Sequence, residues 1–553
     1  MNGIKMEEKE IRDEYKCREC GEIIEEGEEC DDGNNDNSDG CDPTCLIEPG
    51  WVCSGEPSVC EIISSEYECL ELTDPNSVNV LSENADCVKV MAENVTLDCD
   101  GFTISNNGSF DGVYSRNNNY TVIKNCEIIN AYHGINLQSS KNNELVNVIV
   151  KSSEKGVYLH YVNDSYLKGV NASNNFEGID LLYSNNNYLE DMNSQDNDRW
   201  GIYLHTSSNN ELVGVEANKN KDNGVFLHRG SENNSIKKVV ASNNEKKGVY
   251  LYHSNNNSLT NVRSNENNQE GMYLRNSSNN ILTNMDLSHN QGYGCILVSH
   301  SDDNLISDVI SLDNGISWSG YYTFEGLRVM YSDRNVISDV NFEGVRFAYS
   351  EGNVLDGARI NRIGLYISNS KGNFVNNTRV INAGKNSTTL FVSDNNTITN
   401  FTSFNNQSYQ QETGIYFFRS KGNFLEGVEL RGAVKGVYLK ESDENTLKDV
   451  ELRGNLNGTL IFDSDNNNLI SVNSTNNNDT GLFVNLSVGN SIVSSRFCNN
   501  KVLDVYCGVG QSDFSENTCE GGCASDSCSY SCSGFGSLNP WGRIVEWLKN
   551  LLF

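Results

Sequence analysis

A glycine followed by alternating apolar residues, then a serine and an asparagine, recurs along most of this chain. That repeat limits the possible folds more than any other feature. It reads GIDLLYSNNNYL from Gly178, GIYLHTSSNNEL from Gly201, GVYLYHSNNNSL from Gly248, GMYLRNSSNNIL from Gly271 and GVYLKESDENTL from Gly436. The register falls at Gly112, Gly134, Gly156, Gly178, Gly201, Gly224, Gly248, Gly271, Gly294, Gly326, Gly344, Gly364, Gly414, Gly436, Gly458 and Gly481, mostly in steps of 22 to 24 residues. Alternation after the glycine has the period of a strand, so positions +1 and +3, such as Ile202 and Leu204, face one side. A second apolar pair, such as Leu212 and Val215, follows the asparagine, and no helical periodicity lies between.

A unit of two or three short strands cannot bury its apolar face alone, so it stacks on its neighbours. A constant period without helices predicts an all-β solenoid, a parallel β-helix of 16–17 coils. At ~4.8 Å per coil this makes a rod roughly 75–80 Å long. The leucine-rich repeat has a similar period, but its L-x-x-L-x-L-x-x-N pattern is absent. An asparagine column runs through Asn187, Asn210, Asn234, Asn257, Asn280, Asn304, Asn335, Asn353, Asn373, Asn423, Asn445, Asn467 and Asn490, with serines such as Ser184, Ser207 and Ser231 three residues earlier. Asparagine tolerates the left-handed conformation of a sharp corner, and its amide can bond the same residue one coil away. The SSNN segments are therefore scaffold.

A net charge of −34 repels duplex nucleic acid and anionic membranes. Hydrophobic residues make up only 37% of the chain, but their fixed spacing excludes disorder. No apolar run reaches the length of a membrane span. The eighteen cysteines cluster: eight between Cys17 and Cys69, six between Cys498 and Cys532. Such clustering predicts disulfide-rich modules at both ends and an oxidising compartment. The opening MNGIKMEEKEIRDEYK has no apolar signal core, which conflicts with that expectation unless the start is truncated or misassigned. The expected organisation is a charged leader (1–16), a cysteine-rich module (17–60), an N-terminal cap (61–93), the β-helix (94–497), a second cysteine-rich segment (498–539) and an amphipathic helix (540–553). That helix, NPWGRIVEWLKNLLF, is too short to span a bilayer. It would cap the solenoid or touch a membrane or partner, and the open end of a solenoid favours the cap.

Two segments resemble known families. NVTLDCDGFTIS from Asn94 and GVYLHYVNDSYLKGV from Gly156 resemble the repeats of periplasmic copper-binding NosD-type proteins and of carbohydrate-binding and sugar-hydrolase β-helices. This resemblance implies a right-handed helix over about Asn94 to Cys498. It says little about function, because the architecture carries lyases, hydrolases, epimerases and inert binders. CGEIIEEGEECDDGNNDNSDGCDPTCLIEPGWVC from Cys20 resembles the cysteine-rich repeat of myxobacterial surface proteins, with NSDGC in place of the usual GDGC. It implies an extracellular disulfide module framed by Cys20, Cys30, Cys41, Cys45, Cys53 and Cys60, with pairings left open.

Asp31, Asp32, Asn34, Asp36 and Asp39 crowd one loop of that module, a hard-oxygen set suited to calcium. The plainer reading is a solvated acidic loop, and a four-cysteine zinc site at Cys17, Cys20, Cys41 and Cys45 is a third.

On the solenoid, +2 holds Tyr114, Tyr158, Asp180, Tyr203, Phe226, Tyr250 and Tyr273, and +4 holds His160, His205, His228, Tyr252 and Arg275. These positions should face solvent together, and an exposed aromatic stripe flanked by histidine and arginine suits a polysaccharide strand. The alternative is cross-strand stacking that only stabilises the sheet. His205 and His228 share a column, which invites a transition metal. Two histidines without a third ligand make copper an unlikely cofactor. Arg328 and Arg346 fall at +2 of consecutive coils and need an anion: Glu325 and Glu343, or a uronate or sulfate group. Between Gly294 and Gly326 the repeat is interrupted by SWSGYYTFE, whose Trp318, Tyr321, Tyr322 and Phe324 would overhang the sheet as a subsite or cover an apolar step.

Asp180, the one acid in the aromatic column, is the best candidate for a general base. No carboxylate pair, epimerase Asp-Pro-His-Asp motif or lyase calcium triad accompanies it. The expected function is therefore glycan binding by a secreted or cell-surface protein. A polysaccharide lyase, epimerase or hydrolase is the runner-up, and a structural or adhesive rod the third reading.

Overall fold

The computed structural model describes residues 51–54, 59–62, 69–315, 325–405, 411–507, 512–515 and 517. The first 50 residues with the acidic loop, the loop aromatics Trp318, Tyr321, Tyr322 and Phe324, and the segment expected to form a C-terminal helix lie outside these residues. The remainder is a parallel β-solenoid of about 18 turns with no helix among the described residues, slightly longer than the 16–17 coils expected. Each strand pairs with its counterpart one coil on: Ile202 lies against Val225 and Val225 against Val249. The parallel ladder begins at Leu70–Leu72, which pairs with Val88–Val90, so the segment expected to cap the solenoid already belongs to it. At the other end Leu503–Cys507 and Ser512–Ser515 still join the sheet. Two disulfides, Cys69–Cys87 and Cys99–Cys126, tie successive early coils together. Upstream, Trp51–Ser54 and Val59–Ile62 form an antiparallel pair that sets Cys53 opposite Cys60.

Positions +1 and +3 fill the core as the alternation requires. Ile202, Leu204, Val225 and Leu227 are fully buried, as are Leu212 and Ile236 of the second apolar face. Each such side chain contributes roughly 1.5–3 kcal/mol by leaving water. The repeat glycine is demanded by backbone proximity: a Cβ on Gly201 would lie 2.6 Å from the carbonyl oxygen of Gly224. One coil escaped the glycine count because Ser387 stands there, and Asn386–Phe391 supplies its strand, with Leu365 against Thr388.

The asparagine column is a ladder, but its residues are not at the left-handed corner. That conformation belongs to the preceding residue, Asn186 (φ 57), Asn209 (φ 58) and Asn233 (φ 56) among them. The ladder residue turns inward, and the backbone N–H of Asn187 donates to Oδ1 of Asn210 at 2.9 Å while its Nδ2 donates to the same atom at 3.1 Å. The pattern passes through Asn396, which sequence spacing overlooked, and reaches Asn490. A serine ladder runs beside it, Ser184 N–H donating to Ser207 Oγ at 2.9 Å. A second asparagine ladder, Asn197 to Asn220 to Asn244 to Asn267 to Asn290, closes another corner. Buried polar atoms are thus paired along the axis, as a low-dielectric interior requires.

Candidate functional site

The outward columns assemble an aromatic block over consecutive coils. Phe226 and Tyr250 stack at 4.7 Å with planes 2° apart, Tyr203 sits 5.3 Å from Phe226, and Tyr273 meets Tyr250 edge-on. In the adjacent column His205 and His228 stack at 4.9 Å, and Tyr252 follows at 5.3 Å with Arg275 over its ring. Tyr158 and His160 stack at 5.8 Å at the start of the block. The expected fully outward stripe is corrected: these rings pile along the solenoid axis, bury one another's faces and present their rims. Phe226 is 9% exposed. Each stacked pair adds about 0.5–1.5 kcal/mol beyond the area it buries.

The histidine and tyrosine rings of the block are held uncharged at neutral pH, with Lys247 and Arg275 over Tyr250 and Tyr252. Burial, with the His205 imidazole, Arg229 and the His253 imidazole nearby, pushes the His228 imidazole down to about 4. Burial also lowers His160 and His205, the latter aided by Arg229. It raises Tyr203 and Tyr250 to about 12. Tyr203 Oη and His228 Nδ1 are hydrogen-bonded at 2.7 Å.

These contacts also decide how well the pair fits copper. Near-parallel stacked imidazoles point their in-plane nitrogens along separate planes, and one of those nitrogens is already engaged. No group of three metal-ligating side chains occurs among the described residues. His205 and His228 therefore do not fit a shared metal, and no chemistry is routed through one here.

Asp180 is not the exposed carboxylate the alternation predicts. It is 3% exposed, and Lys155 Nζ donates to its Oδ2 at 2.5 Å. The same ammonium lies 2.7 Å from Glu177, whose other oxygen takes Arg199 at 2.5 Å. Burial opposes the charge on Lys155, yet attraction and hydrogen bonding to Asp180 and Glu177 prevail and hold its pKa above the ordinary value. Two coils before Lys155, Asp111 accepts from Asn136 at 2.7 Å and pairs with His133 at 2.6 Å. Asp111, His133, Lys155, Glu177 and Trp200 all directly precede the repeat glycine. Sequence reasoning missed this column because its residue types change from coil to coil, while only the position is constant. Trp200 stacks on Tyr203 at 4.2 Å beneath the guanidinium of Arg199.

Farther along, Glu325 alone bridges Arg328 at 3.0 Å and Arg346 at 2.7 Å. Glu343 does not share this task, since it faces Arg362 at 3.2 Å. At the corner after +4, Tyr161 and Tyr183 stack at 5.0 Å, 50% and 37% exposed. Both adopt the left-handed conformation that bulky residues avoid (φ 55 and 51).

The repeats match two family models: the right handed beta helix region over residues 111–263 and 229–326, and the periplasmic copper-binding protein (NosD) over 351–519. Among solved structures, the chain is similar to the A-module of the Azotobacter vinelandii mannuronan C-5 epimerase AlgE4 (13% identity, 56% of this chain and 88% of that one, TM-score 0.32). It is also similar to the pre-mature gene product 12 of bacteriophage phi29 (11%, 81% and 70%, TM-score 0.37). A third is the catalytic unit of an alpha-1,3-glucanase from Streptomyces thermodiastaticus (12%, 64% and 63%, TM-score 0.28). Comparison with curated protein sequences finds no match. The chain is thus a parallel β-helix of stacked coils and inward asparagine ladders, whose earlier repeats are similar to the right handed beta helix region and whose later repeats are similar to the periplasmic copper-binding protein (NosD).

Proposed function

We propose that this protein binds polysaccharide along the outer sheet face from Tyr158 to Arg275 and acts outside the cytoplasm. The observation that carries the reading is the neutral aromatic and imidazole block, with the exposed, stacked pair Tyr161 and Tyr183 at its edge. Ring rims offer hydroxyl and nitrogen groups to sugar hydroxyls at a regular ~4.8 Å spacing. The open rings of Tyr161 and Tyr183 offer apolar area for a pyranose face. The corner after +4 is left-handed in successive coils whatever residue stands there, Thr206, Val392 and Leu486 included, so what marks Tyr161 and Tyr183 is their exposed stacked rings beside the block. The disulfides Cys69–Cys87 and Cys99–Cys126 suit an extracellular or periplasmic setting. Calcium in the acidic loop of the N-terminal module belongs to the same proposal. Retention of the purified chain by immobilised neutral, uronate and sulfated polysaccharides, with and without calcium, tests it. Retention by one class, lost in Tyr203→Ala plus Tyr250→Ala, supports the reading, and no retention by any class sinks it.

A second reading, a lyase, epimerase or hydrolase, draws on the concentration of Asp111, His133, Lys155, Glu177 and Asp180 at one end of the face. Lyase action would create an unsaturated uronate absorbing in the ultraviolet. A flat absorbance trace over hours with every uronan tested counts against the lyase, whereas absence of new reducing ends and an unchanged uronate epimer ratio by proton NMR count against the hydrolase and the epimerase.

A further inference from the structure

The +2 column is a file of mostly large side chains, and four of its rungs, Asn136, Asp180, Thr389 and Leu460, lack a ring between aromatic neighbours. Asn136 is bonded to Asp111, and Leu460 packs with Tyr438 and Phe483. Asp180 lies between Tyr158 and Tyr203, and there the gap is filled from within, by the ammonium of Lys155, 4.8 Å from the Tyr158 ring. Thr389 lies between Tyr366 and Tyr416, and there the gap is open. A cleft of about 440 Å³ forms over it, lined by Tyr366, Thr389, Tyr416, Lys385, Lys435 and Lys440 among others. Thr389 is its floor, the hydroxyl accepting from Asn386 Nδ2 at 2.9 Å.

Register fixes which ring faces are available. Tyr416 stacks on Tyr438 of the following coil at 5.3 Å, and Arg346 of the preceding coil lies 4.6 Å from the Tyr366 ring. Both outer faces are therefore covered, and the two inner faces look at each other across Thr389. Two coil spacings separate them by roughly 9–10 Å, room for one inserted ring.

Charge makes the same distinction between the gaps. Lys155 and Lys435 both directly precede the repeat glycine, each beside the tyrosine at +2, at 4.8 and 4.7 Å. The coil after Lys155 supplies Glu177 and Asp180, whereas the coil after Lys435 supplies Asn457 and Leu460. Neither Lys435 nor Lys440 has a carboxylate within 4.0 Å among the described residues, and Glu412 stands 4.0 Å from Lys385 instead. Burial lowers the pKa of Lys435, Glu412 offsets this only in part, and Lys440 adds to it. In a chain of net charge −34, a half-buried lysine without its counter-ion is a position where a ligand anion gains most.

We propose that this cleft is a subsite for one anionic sugar ring of a glycan, a uronate or sulfated unit, stacked between Tyr366 and Tyr416 with its acidic group on Lys435 and Lys440. The proposal rests on the reading of the sheet face as a glycan surface and adds selectivity for acidic units.

Titration calorimetry of the full chain with galacturonate oligomers, dextran sulfate and neutral dextran tests it, using Thr389→Tyr, Lys435→Gln and the Tyr203→Ala plus Tyr250→Ala pair. Thr389→Tyr restores the missing rung, so its Tm should hold or rise while acidic-glycan affinity falls at least tenfold. Lys435→Gln should weaken binding to a similar degree and flatten its salt dependence. Preference between galacturonate and dextran sulfate identifies the acidic group. Wild-type affinity in both cleft variants, or equal binding of neutral dextran, overturns the proposal. If only the Tyr203→Ala plus Tyr250→Ala pair loses binding, the aromatic face stands and the cleft falls; if only the cleft variants lose it, the reverse holds. No binding of any probe by the wild type overturns both.

Discussion

Asn210 donates two hydrogen bonds to the single Oδ1 of Asn234, from its backbone N–H at 2.9 Å and from its Nδ2 at 3.2 Å. Asn234→Ala would leave the Asn210 N–H buried without a partner, leave its Nδ2 only the Ser184 carbonyl at 3.0 Å, and open a break in the ladder on either side. The expected destabilisation is about 1–3 kcal/mol, read as a lower midpoint in denaturant titration. Asn233→Ala, at the adjacent left-handed corner (φ 56), should cost about 1 kcal/mol through backbone conformation instead.

Removing Lys155 should do more harm than removing its partners with it. Lys155→Met leaves Asp180 and Glu177 buried near each other, an expected loss of about 3–5 kcal/mol at pH 7. Acidification should return part of that loss, because protonation of Asp180 removes the unpaired charge while Glu177 keeps Arg199. The double variant Lys155→Met plus Asp180→Asn should be more stable than Lys155→Met alone. Thermal melts at pH 7 and pH 4 measure both effects.

His228 gives a pH dependence of definite sign. Its pKa falls from 6.5 to about 4 in the folded chain, so the fold favours the neutral ring. The stability this provides is complete above pH 6.5 and is lost as pH falls through 6.5 toward 4. His228→Asn should therefore flatten the fall in Tm across that window relative to wild type. Proton NMR should show the His228 ring titrating well below 6.5, toward about 4.

Tyr183 separates binding from stability. Replacing it with glycine relieves a left-handed tyrosine worth about 1–2 kcal/mol and forfeits the stack on Tyr161, worth about 0.5–1.5 kcal/mol. These nearly cancel, so Tm should change little. Retention on the cognate polysaccharide should drop, and unchanged retention would remove Tyr183 from the binding face.

The fold was legible because backbone geometry enforces it. Gly201 cannot carry a Cβ against Gly224, and Ile202 and Leu204 must be apolar to fill the core, so both leave a periodic trace. The second ladder was missed: Asn197, Asn220, Asn244, Asn267 and Asn290 each stand four residues before a repeat glycine, but their varied flanks hid them. The site was harder to read. Alternation gave Asp180 an outward direction, but a side chain directed outward is not thereby exposed: Lys155, from the coil before, closes over it. Nothing in local spacing announces that closure, because it depends on which residues two coils place side by side. The Thr389 cleft was hidden for the same reason, and because Ser387 broke the glycine count at that coil.

The ladders have a consequence for how such a surface can change. Every rung's height is set by main-chain and amide bonds inside the rod, and the outward side chains take no part in fixing it. The outer columns therefore behave like type set in a fixed frame: one character can be exchanged, as Thr389 stands where a ring would fit, without shifting the line above or below. A solenoid of this kind can acquire or lose a recognition site by a single substitution, and its neighbours keep their addresses.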